Sequence, residues 1–150
     1  MNYTHLQYAR WEVRRNEHLK RLAAEVAVDA VDEGLLPFLE RLNKIPGVAT
    51  EYSCIGHPEK DSNNAYVILD LESRIADAVY HWRTPFLRDA PIPASLDFRY
   101  WQEGGETVER VWVNATPENA GETSLPLFEY LIRFLMEISR MTIGVQTHER

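Results

Sequence analysis

Residues 96–113 read Leu96-Asp97-Phe98-Arg99-Tyr100-Trp101-Gln102-Glu103-Gly104-Gly105-Glu106-Thr107-Val108-Glu109-Arg110-Val111-Trp112-Val113, and this stretch decides the fold class. Leu96–Trp101 and Val108–Val113 alternate and are rich in aromatic and β-branched residues, the composition of half-buried strands. Gly104-Gly105 is a turn signal between them, so the pair predicts an antiparallel hairpin with a loop of several residues. On the first strand Phe98 and Tyr100 point one way and Arg99 and Trp101 the other, so one of the two aromatic sets faces a core.

Working outward, Val48–Cys54 and Ala65–Leu71 read as two further strands, the second apolar almost throughout and therefore central. Helices are predicted on four segments. Residues 5–27 carry Leu6, Ala9, Val13, Leu19, Leu22, Ala23 and Val26 as a loose apolar stripe. The run 26–32 either extends that helix or forms a short strand. Asp32 then caps a helix running to about Lys44 with Pro37 in its first turn, and Pro46-Gly47 ends it. Residues 72–87 form an amphipathic helix that Pro85 disturbs late, and Thr123 or Ser124 caps a last helix with Pro126 near its start.

That order shows no sustained β-α-β alternation. The expected fold is α+β, one domain over residues 1–150 with a mostly antiparallel sheet of about four strands. With 45% apolar, 26% charged and 11% aromatic residues, the chain can bury a real core, which excludes wholesale disorder. A formal net charge of −7 opposes nonspecific binding to a phosphate backbone, so any nucleic-acid contact must be local and shaped. Pro126, Glu129, Arg133, Glu137 and Arg140 interrupt the apolar stretch 125–141, whereas a membrane span needs about 20 mostly apolar residues. A single cysteine and an opening without a long apolar run predict a cytoplasmic protein with no membrane contact.

The richest local chemistry is Tyr52-Ser53-Cys54-Ile55-Gly56-His57, where a strand gives way to a loop. Small residues followed by glycine let backbone amides converge on a phosphate or carboxylate, while Ser53, Cys54 and His57 add a hydroxyl, a thiol and an imidazole. A ligand-binding site at Ser53, Cys54, Gly56 and His57 is one reading; the other is that these residues only fill the sheet end and permit the turn. Cys54 and His57 also have half of a zinc-site spacing, but there is no second cysteine and His5, His18, His81 and His148 sit singly, so no four-ligand metal site is expected and only a three-ligand one stays open. Activation of Cys54 by His57 as a nucleophile is a further option. The aromatic-basic runs His81-Trp82-Arg83 and Arg99-Tyr100-Trp101 could stack on a base and pair with phosphate. No dinucleotide-binding glycine pattern, Walker loop or zinc-protease motif occurs.

Within Leu36–Leu71, the run L-P-F-L-E-R-L-N-K-I-P-G-V-A-T-E-Y-S-C-I-G-H followed by A-Y-V-I-L-D-L resembles the tRNA wybutosine-synthesis methyltransferase family, the third enzyme of that pathway. The likeness lies in a helix ending Leu-Asn, a proline-containing turn, and a strand ending Thr-x-Ser-Ser-Cys-Ser-Gly-Arg. Tyr52 and Ile55 stand where that pattern has serines, and His57 where it has arginine. The resemblance implies an α+β fold, a pocket lined by Ser53, Cys54 and Gly56 with His57 at the arginine's place, S-adenosylmethionine as cofactor, and a modified guanosine of phenylalanine tRNA as substrate. Two functions are therefore expected in competition. One is a small-molecule or nucleotide-binding protein with its pocket at the Ser-Cys-x-Gly-His turn. The other is a noncatalytic interaction domain, such as a homo-oligomer, in which that turn is structural and exposed aromatic residues make the contact.

Overall fold

The computed structural model describes residues 5–56 and 64–144. Helices α1 (His5–Ala27) and α2 (Leu36–Asn43) precede strands β1 (Val48–Cys54) and β2 (Tyr66–Leu71). Helices α3 (Ser73–His81) and α4 (Arg83–Arg88), strands β3 (Ala94–Glu103) and β4 (Glu106–Ala115), two short 3-10 turns and α5 (Leu125–Thr142) complete the chain. The strands form one antiparallel sheet in the order β1-β2-β4-β3, which makes the fold α+β as expected.

Residue period divides the sheet into two faces. The register Ser53↔Val67↔Val113↔Leu96 and Leu69↔Val111↔Phe98 defines an apolar face. On it pack Leu39 and Leu42 of α2, Ile75 and Val79 of α3, and Leu127, Phe128, Leu131 and Leu135 of α5, all buried. The opposite face carries Cys54, Tyr66 and Asn114 in one row and Tyr52, Ile68 and Trp112 in the next. A bulge between Thr50 and Tyr52 sends both Glu51 and Tyr52 to that side, as a two-against-one register requires.

Several expectations are corrected. The buried residues of α1 are Trp11 and His18, while Leu6, Val13 and Val26 of the supposed apolar stripe are exposed. Of the run 26–32 only Val26 and Ala27 belong to the helix; from residue 28 the chain turns, with Asp29 at φ 59, and forms no strand. Asp32 does not cap α2 with its side chain: its carbonyl accepts from the Leu35 and Leu36 amides, and its carboxylate is used elsewhere. The helix expected over 72–87 is two helices, because the Pro85 ring collides with the carbonyl four residues back, at His81, and the chain breaks at Trp82. The hairpin loop is only Gly104-Gly105, both with positive φ, the two-residue turn that matches strand twist. Ser124 stands at the N-cap of α5 as expected, but without a side-chain capping bond: the Thr123 and Ser124 hydroxyls donate back to the Ala120 and Gly121 carbonyls. Among the described residues no helix is long and apolar enough to cross a membrane.

Candidate functional site

The Ser-Cys turn ends β1 at the sheet's rim. Strand alternation separates its two polar side chains: Ser53 lies opposite Val67 on the helix-packed face, and Cys54 opposite Tyr66 on the other. Gly56 is buried at φ 86, and its amide donates to Cys54 Sγ at 3.3 Å. The Ile55 amide donates to Asp32 Oδ2 at 2.9 Å, and the Ile55 carbonyl accepts from the Gly121 amide at 2.7 Å. Two amides expected to gather on an anion thus already have acceptors within the protein, one of them a carboxylate. His57 lies outside the described residues. Of the four expected site residues, the geometry brings Cys54 and Gly56 together and turns Ser53 away.

What Cys54 does face is a polar and aromatic row running across the sheet, Cys54↔Tyr66↔Asn114↔Ser95. Beside it, Tyr66 and Trp112 stack with centroids 5.9 Å apart and planes 20° apart, and the Arg99 guanidinium lies 4.0 Å from the Trp112 centroid. The face is open here: Ser95, Asp97 and Arg99 are exposed, and Tyr66, Trp112 and Asn114 are half-buried. Burial, with the charges of Cys54 and Asp32, pushes the Tyr66 phenol above its usual range. Trp112 Nε1 is buried and has no acceptor among the described residues. The Asn114 amide donates at 3.4 Å to both Ser95 Oγ and Asp97 Oδ2, long contacts that are readily exchanged.

Farther along the same face, α1 is fastened by charge. Asp70, fully buried, accepts from Arg14 Nε at 2.9 Å and Nη2 at 3.2 Å, bonds His18 Nε2 at 2.9 Å, and lies 3.3 Å from Arg110 Nη2. Arg110 Nε in turn donates to Glu51 at 2.8 Å, and Trp11 Nε1 to the Asp70 carbonyl at 2.9 Å. Arg21 donates to the Glu51 carbonyl and stacks over Tyr52 at 4.3 Å. Arg14, His18 and Arg110 converge on Asp70, which makes the network a clamp that holds α1 on the sheet. Sequence reading missed it. The signal was present in the spacing Trp11, Arg14, His18, Arg21, a helical stripe of polar and aromatic residues, matched with one acid in the otherwise apolar strand 66–71.

The two aromatic-basic runs are also placed. Arg99 joins the Trp112 stack, whereas Tyr100 points to the helix-packed face. Arg83 lies over Tyr80, and His81 meets Trp82 edge-on at 5.2 Å. Among the described residues no group of three or more His, Cys, Asp or Glu is arranged to hold a metal ion.

No known family profile matches the chain, and no curated protein matches it. Among solved structures it is similar in outline to the PH1069 protein from Pyrococcus horikoshii, with a TM-score of 0.44 and 12% sequence identity over 90% of this chain and 97% of that one.

Proposed function

We propose that this chain binds a small molecule or nucleotide on the open sheet face beside the end of β1. The observation that carries this reading is the Tyr66–Trp112–Arg99 stack, level with Cys54 and flanked by Asn114. Stacked rings and a guanidinium plane accept the flat face of a base, and a carboxamide offers the donor and acceptor that a base edge needs. S-adenosylmethionine fits this arrangement through its nucleoside half: Trp112, Tyr66 and Asn114 would hold the adenine. Bound there, it would supply an electrophilic methyl group. A tRNA partner would rest on local contacts such as Arg99, since the net charge of −7 works against broad backbone binding.

Titration calorimetry with S-adenosylmethionine and with adenosine monophosphate tests the reading. At least one should bind, and Trp112→Leu should weaken it by about tenfold or more, the usual worth of one base stack. Silence with both ligands in folded protein would overturn it.

A second reading, a noncatalytic interaction domain that assembles with itself, draws on β3. This is an edge strand of ten residues whose backbone is unpaired on one side, and Tyr100 and Trp101 on it are exposed. Light scattering would then show a dimer that Trp101→Lys dissolves.

A further inference from the structure

The helix-packed face of the sheet extends past the end of α3, and there it carries a cavity of about 690 Å³. Three of its walls are aromatic. Tyr80 of α3 meets Phe98 of β3 edge-on, with centroids 5.2 Å apart and planes 78° apart, and Tyr100 follows two residues along the same face. Its polar lining carries both signs, with His81 and Arg83 beside two carboxylates. Asp77, one turn before Tyr80, lines it, and Glu109 lies directly opposite Tyr100 in the β3–β4 register.

At Glu109 the neighbouring charges are one-sided. Burial, and after it the charges of Asp77 and Asp70, push the Glu109 carboxyl above the usual range despite a hydrogen bond from Tyr100. Burial, then that bond and the charge of Glu109, push the Tyr100 phenol up as well. Two carboxylates that repel each other, set among ring faces of negative potential, gain from one thing above all, a positive charge between them.

An independent feature shows that a ring on this rim accepts a cation. The Arg83 guanidinium carbon sits 3.8 Å from the Tyr80 centroid, steadied by donation from Nη1 to the Tyr80 carbonyl at 2.6 Å. Its charge occupies part of the π surface that a bound cation would use. A bare metal ion is poorly served, because hard cations take six or more oxygen ligands and these walls are mostly carbon.

We propose that this cavity is a binding site for a small alkylammonium compound, held by the rings of Tyr80, Phe98 and Tyr100 and by the carboxylates of Asp77 and Glu109, with Arg83 as an internal competitor. The site lies on the opposite face of the sheet from the Trp112 stack, so it stands or falls independently of the nucleotide reading.

The test uses choline and n-butylammonium as probes, with 3,3-dimethyl-1-butanol as the neutral counterpart of choline, followed by amide shifts of Tyr100 and Glu109. Both cations should give saturating shifts and the neutral alcohol none. Tyr80→Leu and Glu109→Gln, which replace an exposed ring and a carboxylate by groups of similar size, should each weaken choline binding by about five- to thirtyfold. Arg83→Ala should strengthen it. Equal binding of the neutral alcohol, unchanged affinity in both weakening variants, or no saturable shift with either cation would overturn the proposal.

Discussion

Arg14 forks onto Asp70, Nε 2.9 Å from one carboxylate oxygen and Nη2 3.2 Å from the other, and so ties the longest helix to the second strand by charge rather than by an apolar seam. Since His18 and Arg110 converge on the same carboxylate, Asp70 holds one negative charge against at least two positive ones. Removing it strands the buried Arg110 guanidinium and leaves His18 without its partner.

Asp70→Ala should therefore cost about 3 kcal/mol or more, in the range found when one member of a buried ion pair is deleted. Burial alone would raise the Asp70 pKa, but hydrogen bonds from His18 and Arg14 and the charges of Arg110 and Arg14 outweigh it and hold the pKa below the usual value. A carboxyl lowered on folding contributes stability above its unfolded pKa of about 3.9 and loses it as pH falls through the folded value. Urea midpoints between pH 7 and pH 2 should show wild type losing more stability below about pH 4 than Asp70→Ala does. Parallel acid profiles would contradict this role.

Asn43 ties α2 to β1. Its Nδ2 donates to the Leu39 carbonyl at 2.9 Å and to Thr50 Oγ1 at 2.8 Å, and its Oδ1 accepts the Thr50 amide at 2.9 Å. Asn43→Ala leaves a buried amide and hydroxyl without partners, so it should cost about 2 kcal/mol, and Thr50→Val, which removes one hydroxyl, less. Thermal melts of the two variants check the order.

Two glycines with similar backbone angles should respond differently to alanine. Gly105, φ 82, has nothing within 4 Å of an added Cβ, so Gly105→Ala meets only the left-handed penalty of roughly 1–2 kcal/mol. Gly47, φ 85, would place that atom 2.7 Å from Ile75 Cγ1 and 3.0 Å from Ile143 Cδ1, and Gly47→Ala should be clearly worse. Gly104→Asn should be nearly neutral, since Asn-Gly suits this hairpin turn. Chemical denaturation of the three variants gives the ranking.

The strands were legible because each alternates or runs apolar between strong turn signals: Val48–Cys54 is found with the bounds the sequence predicts, and Gly104-Gly105 marks the hairpin. Helix α1 was legible as a helix but not in its orientation. Apolar period finds the buried face only when burial is apolar, and here Arg14 and His18 face inward because the buried Asp70 carboxylate pairs with them, and Trp11 because it donates to the Asp70 carbonyl. Asp32 was misread for a related reason, since its carboxylate serves a distant amide at Ile55 that no local pattern announces. At the site, composition singled out Ser53 and Cys54 as a pair, but the strand's period of two divides them between faces. The residues that share a row with Cys54, Tyr66 and Asn114, come from β2 and β4, and only the register joins them.

Amide shift mapping with S-adenosylmethionine and adenosine monophosphate tests the binding account most directly. Perturbations should centre on Tyr66, Trp112, Asn114 and the end of β1, with the Trp112 indole N–H moving most. Saturable binding whose shifts fall instead on α2 and α5, leaving the Trp112 indole still, would contradict it.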